Sequence, residues 1–342
     1  MQRLSVLGLW VLMTVACSVG AFLREGALAP VDTAARERSV PTRGFYAIRN
    51  ATVHPMSGAV LKGATVVIRD GRIEAVGTNV PIPRNAPVYD AKGLHPYPGL
   101  IDASTTLGLT EIGSIAATID TTETGSFNPN VRAEIAINPE SELIPVARVA
   151  GITTAVSAPT GGILSGMGCV MNLDGWTWEQ RVLKLPIELY NFPEPSGDAA
   201  QSAEARRRAW ETRMRPVKEF LEHARCYMRA HSAEGQTGVF CIASSDSRNV
   251  CNLPYHGATA VEHGLPYEEE LKSITLYPAR TLGWEHRWGT IEPGKDANLM
   301  LTTGTPLDIR TQGVQGWIEG RPVEMTSKHI RLDERYRKRP KE

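Results

Sequence analysis

The sequence predicts an α/β protein in which an incomplete TIM-like (β/α) barrel is combined with a small composite β-sandwich built from both ends of the chain. Short apolar segments separated by turn residues occur near both ends, and in the middle an apolar segment runs into small polar residues. The middle, from Asp102 to Gly283, is shorter than the roughly 250 residues of a complete (β/α)₈ barrel. We therefore expect the barrel to be open or incomplete.

The two β-rich ends are predicted from their turns. Near the beginning of the chain, three short strands are predicted, at residues 47–53, 64–68 and 72–76. Asp70-Gly71 lies between the second and the third, and Asp-Gly is a strong hairpin signal. Further strands are predicted at residues 289–301 and 314–318. We assign residues 45–95 and 286–325 to the sandwich, and residues 96–285 to the truncated barrel.

The middle of the chain mixes helical and strand-like patterns. A helix is predicted at residues 141–150 and a long one at 198–231, where apolar residues recur at steps of three and four. Strands are predicted at residues 98–103, 152–158, 169–173, 182–190 and 238–246, and a further helix at 266–283. The glycine-rich residues 159–166 lack the lysine of a P-loop, so a tight turn is favoured over a phosphate site. Trp176 and Trp178 are expected to pack beneath a loop rather than to stack on a ligand.

Charge balance argues against some classes of partner. Lysine plus arginine equal aspartate plus glutamate, at 37 each, and the formal net charge is zero. Because the chain has no net field, we expect it to bind neither nucleic acid nor an anionic membrane. The basic residues within 326–342 predict a solvated, frayed tail. The sequence leaves the oligomeric state open.

The first 21 residues are typical of a signal peptide. An apolar run at residues 4–17 follows a positive residue and precedes the small residues 19–21, and it is too short to span a membrane. We expect an exported protein, periplasmic or extracellular, with a linker at residues 22–44. Lipoprotein anchoring at Cys17 is disfavoured, because threonine stands where leucine is usual. Four further cysteines would then meet an oxidising compartment, Cys169, Cys226, Cys241 and Cys251.

Two segments of the middle resemble the amidohydrolase superfamily, in particular the imidazolonepropionase-like metal-dependent hydrolases. Pro98-Gly99-Leu100-Ile101-Asp102 resembles the first barrel strand of that family, which a His-x-His pair follows immediately. Here Ser104 and Thr106 stand at those two positions. Residues 238–247 resemble the last barrel strand, whose terminal aspartate binds metal and shuttles the proton, and Asp246 stands at that position.

A third segment carries the same resemblance near the end of the chain. Glu292-Pro293-Gly294-Lys295-Asp296-Ala297 is similar to the C-terminal signature of the family, with Asn298 in place of the more usual aspartate. Tyr277, in the segment preceding it, likewise replaces the usual asparagine. The resemblance therefore extends, with gaps, over residues 45–325.

The resemblance implies a hydrolase that acts on carbon–nitrogen bonds other than peptide bonds. Its substrate would be a small amide or cyclic imide, and a divalent metal, zinc first, would activate the attacking water. Asp246 would be both the catalytic residue and a metal ligand. Five residues are implied to bind substrate, Ser104, Thr106, Glu111, Ser245 and Asn249. Three acidic residues of the loop after the first strand would be the further candidates for metal ligands, Glu111, Asp120 and Glu123.

The metal site implied by the family is incomplete in this sequence. A catalytic zinc takes about three protein ligands from His, Asp or Glu. None of the eight histidines forms His-x-His or His-Glu-x-x-His. Only about seven residues separate His231 from Gly238, whereas a strand–helix unit takes roughly 30 residues. Two or more such units, which bring further histidines to the metal in the family, are therefore expected to be missing.

Three interpretations remain open on the sequence alone. The first is an exported metal-dependent enzyme of altered or impaired activity. The second is a non-catalytic descendant, a pseudoenzyme that needs no cofactor and binds a ligand or partner. The third is a deletion product that folds poorly. Stoichiometric zinc and a pH–rate limb near neutrality would favour the first, and ligand binding without metal would favour the second.

Overall fold

The computed structural model describes residues 45–125, 128, 130–162, 164–190 and 240–338, together with positions 204, 207, 208, 211, 212 and 215. The predicted signal peptide and linker lie outside the described residues, and so does most of the predicted helix at 198–231. The six isolated positions within that helix are helical.

Twelve strands are described. They are β1 Phe45–Val53, β2 Leu61–Arg69, β3 Arg72–Gly77, β4 Val88–Asp90, β5 His95–Pro98, β6 Leu100–Thr105, β7 Ile152–Ser157, β8 Leu164–Asn172, β9 Val182–Tyr190, β10 Leu299–Thr302, β11 Gly313–Ile318 and β12 Arg321–Val323. Six α-helices are described in full, α1 Leu143–Val149, α2 Trp178–Arg181, α3 Leu253–Glu262, α4 Tyr267–Ser273, α5 Leu276–Thr281 and α6 Lys328–Arg337. The mixed α/β class that the sequence predicts is confirmed.

The chain divides into two compact units, each built from separate stretches of sequence. Unit 1 comprises Met1–Pro98, Thr237–Ile242 and Pro254–Pro322. Unit 2 comprises Gly99–Gln236, Ala243–Leu253 and Val323–Glu342. These units do not coincide with the predicted ranges, because α3, α4 and α5, which we assigned to the barrel, cluster with unit 1.

Unit 1 contains two four-stranded sheets that share one core. The first has the order β3-β2-β1-β4, and the second β12-β11-β10-β5, so strands from both ends of the chain meet. Tyr46 of β1 and Trp317 of β11 are fully buried, and their rings stack with centroids 6.1 Å apart. The Tyr46 hydroxyl donates a hydrogen bond of 2.9 Å to the Gly320 carbonyl. Aromatic side chains of this size supply much of the apolar burial of a core.

The predicted hairpin at Asp70-Gly71 is present between β2 and β3. Both residues have positive φ, 50° and 81°. Two consecutive positive φ angles characterise the type I′ turn, whose twist matches that of antiparallel strands. The Asp-Gly pair therefore predicted the β2–β3 hairpin of unit 1 correctly.

Unit 2 contains one sheet, of order β6-β7-β8-β9. The β6–β7 pair is parallel, with α1 in the connection, as in a barrel. The β7–β8 and β8–β9 pairs are antiparallel, which corrects the expectation of a barrel arrangement there. The residues between Ser157 and Leu164 are too few for the helical crossover that a parallel pair needs, which takes a dozen or more. No closed barrel forms among the described residues.

The segment that ends in Asp246 is not a strand, contrary to prediction, from Phe240 onward. Its backbone N–H groups bond to scattered partners, and one of them, that of Ser245, reaches the Ser104 carbonyl of β6. The Ile242 N–H donates to the Ser273 carbonyl at 3.3 Å, and the Ser244 N–H donates to a side-chain carboxylate, that of Asp102. These partners leave no regular ladder for this segment to join.

The helix predicted at residues 266–283 is broken into α4 and α5. Thr275 between them has non-helical angles, φ −132° and ψ −81°. Pro278 is the cause we assign, because a proline inside a helix has no N–H to donate and its ring clashes with the carbonyl four residues earlier, here that of Ile274. Within the first turn of a new helix, the same proline is tolerated.

Two smaller expectations also changed, and the described cysteines can be assigned. The predicted frayed tail contains α6, whose first turn is capped by the Ser327 hydroxyl, which accepts from the Ile330 N–H at 3.4 Å. Trp176 is 88% exposed rather than packed beneath a loop. The three described cysteines are free thiols, Cys169, Cys241 and Cys251. In the part of the chain that the structure describes, no helix is long and apolar enough to cross a membrane.

Candidate functional site

In unit 2, the loop of residues 244–248 lies against the carboxyl end of β6. The Ser245 N–H donates to the Ser104 carbonyl at 2.9 Å, and the Ser247 N–H donates to the Thr106 hydroxyl oxygen at 3.2 Å. Ser245 has φ 60°, an uncommon conformation for a residue with a side chain. The structure thus brings four predicted site residues together, Ser104, Thr106, Ser245 and Asp246.

The residue that organises this contact is Asp102, which the sequence analysis did not include among the site residues. Its side chain is fully buried. One carboxylate oxygen, Oδ1, accepts from the N–H groups of Ser104 and Ser244 at 3.2 and 3.1 Å, and Oδ2 accepts from the Ser244 hydroxyl at 2.5 Å. Asp102 therefore joins the end of β6 to the loop by two hydrogen bonds, both from Ser244.

Burial raises the pKa of Asp102 to about 6, although the hydrogen bonds from Ser244 and Ser104 oppose the rise. A carboxylate loses hydration when it is enclosed, so its charged form becomes less favourable. Asp102 consequently changes its charge close to neutrality, unlike an exposed aspartate. The signal for this residue was present in the sequence, since Asp102 ends the apolar run of the motif that we quoted.

The start of β6 requires glycine. A methyl group on Gly99 would lie 2.1 Å from the Thr153 hydroxyl oxygen, far inside contact distance. Gly99 lets the backbone approach β7 at the point where the parallel pair begins. The position of Asp102, three residues later, depends on this close approach.

Asp246 is held mainly by its neighbour Arg248. The Arg248 guanidinium donates to Oδ2 from Nη2 at 3.0 Å and from Nε at 3.3 Å, and the Arg248 N–H donates to Oδ1 at 3.0 Å. Partial burial raises the pKa of Asp246, but these bonds from Arg248 outweigh it, and the pKa lies below its ordinary value. Asp246 is therefore ionised at neutral pH, whereas Asp102 is close to its titration point.

The two remaining predicted site residues differ in their placement. The Asn249 N–H donates to the Asp246 carbonyl at 3.2 Å, so Asn249 continues the same loop. The Glu111 carboxylate accepts from the Asn138 side chain at 3.3 Å. No hydrogen bond or ion pair between Glu111 and Asp246 is found among the residues that the structure describes.

The described side chains do not fit the zinc ion that the resemblance implies. No group of three His, Cys, Asp or Glu residues that could hold a metal occurs within the described ranges. The side chains that meet at the loop are hydroxyls, two aspartates and Arg248. One aspartate is enclosed by Ser104 and Ser244, and the other already bonds a cation. A catalytic zinc takes three imidazole or carboxylate ligands, and this donor set does not supply them.

Comparisons with known proteins place the chain near one superfamily. Residues 225–328 match the model of the Amidohydrolase family. The Amidohydrolase tasK of Hapsidospora irregularis is 31% identical over 105 residues, which are 29% of this chain. The chain spans only 11% of the length of that relative.

Solved structures give a likeness over a larger part of the chain. An amidohydrolase from Thermotoga maritima matches with a TM-score of 0.64 at 20% identity, covering 82% of this chain and 99% of that chain. A prolidase in complex with N-methylphosphonate-L-proline matches with a TM-score of 0.50 at 15% identity, covering 82% of this chain and 100% of that chain. At these identities, the likeness concerns the fold alone.

Proposed function

Since these matches confirm the resemblance to the amidohydrolase superfamily, which supports a hydrolase-like function, we propose that the protein hydrolyses carbon–nitrogen bonds other than peptide bonds. Its substrates would be small amides or cyclic imides. The observation that carries this proposal is the seating of the Asp246 loop on the carboxyl end of β6. The ionised Asp246 carboxylate belongs to this loop, whose backbone N–H groups bond the Ser104 carbonyl and the Thr106 hydroxyl.

Asp246 acts as the general base in this proposal. Its lowered pKa keeps it ionised at neutral pH, so it can accept a proton without first losing one. A water oxygen adds to the substrate carbonyl carbon while its proton passes to Asp246. The carbon–nitrogen bond then breaks, and the same proton is returned to the leaving nitrogen. Ser104, Thr106, Ser245 and Asn249 bind the substrate.

Members of the amidohydrolase family are typically metal-dependent, and a bound zinc would polarise the carbonyl and acidify the water. The described residues around Asp246 do not supply its ligands. A metal therefore enters this proposal only if residues outside the described ranges complete the site. The proposed proton transfers to and from Asp246 do not depend on a metal.

The test is the substitution Asp246→Asn, with Asp308→Asn as the matched control. Asp308 has the same local geometry, since the Arg310 N–H and guanidinium bind it at 2.9 and 2.7 Å. Both changes remove one carboxylate charge next to an arginine two residues later. Hydrolysis of a panel of small amides and cyclic imides would be measured together with the metal content of protein purified without chelators.

We expect hydrolysis to be abolished in Asp246→Asn and retained in Asp308→Asn, with circular dichroism unchanged in both. General base catalysis contributes typically 10²–10⁴-fold to a rate, so a loss of this size is expected. Turnover equal to that of the unchanged protein would remove Asp246 from the mechanism. Zinc, iron or manganese at one per chain, lost in Asp246→Asn, would show that an altered metal site exists.

A second candidate function, binding without catalysis, is favoured by one specific observation. Both carboxylate oxygens of Asp246 already accept hydrogen bonds from Arg248. The Asp102 carboxylate already accepts hydrogen bonds from Ser244 of the loop. A pseudoenzyme that binds a small amide or a partner would need neither residue as a proton carrier. Binding of the panel compounds with no turnover and no metal would favour this candidate.

The proposal also covers the location of the protein and the identity of its sheets. We infer an exported protein, periplasmic or extracellular, acting on a small molecule and not on nucleic acid. We further propose that the sheet of unit 2 is the incomplete barrel and that the two sheets of unit 1 are the composite sandwich. Deletion of the signal peptide at residues 1–21, followed by fractionation of the producing cells, tests the location.

A further inference from the structure

Two histidines of unit 1 face one another at the edge of its second sheet. His54 follows the end of β1 and His95 begins β5. The His54 N–H donates to the Pro96 carbonyl at 2.9 Å, which holds the two segments side by side. The Nε2 atom of His54 and the Nδ1 atom of His95 are 3.1 Å apart and share a hydrogen bond, in which one ring donates its N–H to the other.

The surroundings hold both imidazoles in place. The His54 ring stacks on the Tyr97 ring at 4.1 Å, with 12° between the planes. Both histidines are half-buried. The pair is therefore positioned by the fold itself.

A metal ion bound by both nitrogens would replace this hydrogen bond with little change in their separation. With metal–nitrogen bonds of about 2.0–2.1 Å, two ligands lie about 2.9 Å apart at a right angle and about 3.3 Å apart at the tetrahedral angle. We propose that His54 and His95 form a two-histidine site for a divalent transition metal, with Cu²⁺ bound most tightly. Imidazole suits copper, nickel and zinc, and copper heads the affinity order.

The other coordination positions have access to solvent. His54 lines a cavity of about 900 Å³ in unit 1, together with residues 55–60, α4 and α5. Because His54 and His95 are only two ligands, water or an external ligand in this cavity would have to fill the remaining coordination positions. The site is thus suited to hold a metal together with a small molecule.

The cations that line this cavity are paired with carboxylates. Lys295 lies 2.9 Å from Glu292, and Arg280 lies 2.8 Å from Glu285. Each positive group is therefore offset by a negative one close by. A divalent ion at the histidine pair would not meet an uncompensated positive field.

The test is titration of the untagged full-length protein with Cu²⁺, followed by calorimetry and by electron paramagnetic resonance. His54→Phe keeps a ring over Tyr97 but removes the nitrogen, and His95→Asn removes the second ligand. His286→Asn is the matched control, because His286 lines the same cavity and its ring lies beside that of Trp284. Circular dichroism of each variant reports whether it is folded.

We expect one Cu²⁺ per chain and a resonance spectrum split by two nitrogens. Loss of a residue that only hydrogen-bonds a metal ligand weakens metal binding roughly 10- to 100-fold. Each of His54→Phe and His95→Asn removes a ligand itself and should weaken Cu²⁺ binding at least as much. His286→Asn and Asp246→Asn should leave binding unchanged, which separates this site from the proposed hydrolytic one. Absence of binding, or binding that persists in the folded double variant of His54 and His95, would overturn the proposal.

Discussion

Replacing Asp102 by asparagine should make the stability of the protein less dependent on pH. The amide has nearly the same shape, and its oxygen can still accept from the N–H groups of Ser104 and Ser244. Its nitrogen can donate to the Ser244 hydroxyl oxygen, because that hydroxyl has the Asp246 carbonyl as a second acceptor at 3.2 Å. The hydrogen bonds of the loop can therefore be retained while the charge is removed.

The magnitude follows from the pKa of Asp102, which burial raises from 3.8 to about 6. The folded state then binds its proton more tightly than the unfolded state does. Asp102 costs no stability well below pH 3.8, where both states are protonated, and its cost becomes complete as the pH rises past about 6. A shift of about two units corresponds to about 3 kcal/mol of unfolding free energy lost over that range.

The assay is urea denaturation of both proteins between pH 4 and pH 8, followed by circular dichroism. We expect the unfolding free energy of Asp102→Asn, minus that of the unchanged protein, to rise by about 2 kcal/mol from pH 4 to pH 7. Other titrating groups occur in both proteins and cancel in this difference. A difference that does not vary with pH would refute the raised pKa. Asp102→Ala should instead be destabilised at every pH, because it leaves buried donors unpaired.

Two further predictions concern α3 and α4 in unit 1. Burial raises the pKa of Glu270 to about 7, although a hydrogen bond from Ser273 opposes the rise. Glu270→Gln should therefore gain stability relative to the unchanged protein as the pH rises from about 5 to about 8. Equal pH slopes of the two proteins in urea denaturation would contradict this. A methyl group on Gly257 would lie 1.8 Å from the Glu270 Oε1 atom, so Gly257→Ala should lose about 1–3 kcal/mol in the same assay. Gly58→Ala is its control, because no atom lies within 4 Å of the added methyl group, and an equal loss in both would exclude the clash as the cause.

Local chemistry was sufficient to predict several elements. The hairpin at Asp70-Gly71 follows from its type I′ turn, whose two positive φ angles few residues other than Gly, Asn and Asp adopt. The β-branched run at residues 152–157 forms the buried strand β7. The antiparallel pairing of β8 with β7 was also encoded, in the shortness of the connection. We missed it because the resemblance to a barrel led us to expect parallel strands.

The candidate site was harder to predict, because it depends on contacts between distant residues. Asp246, Ser104 and Thr106 were recognised from the motifs, and the structure brings them together. The role of Asp102 depends on Ser244, 142 residues away in the sequence. No local pattern in the sequence predicts that the Ser244 N–H donates to the Asp102 carboxylate, or that residues 240–246 do not form a strand.

The interleaved construction of the two units has a consequence for synthesis of the chain. The Asp102–Ser244 contact closes only after residue 244 has been made, and the Tyr46–Gly320 hydrogen bond spans 274 residues. A nascent chain therefore carries β1 to β3 for most of its synthesis without the strands that complete the core of unit 1. Contacts of such long range slow folding and prolong the exposure of unpaired strands. Premature termination anywhere before β10 would thus leave the core of unit 1 incomplete, because Leu299, Leu301 and Trp317 would be missing from it.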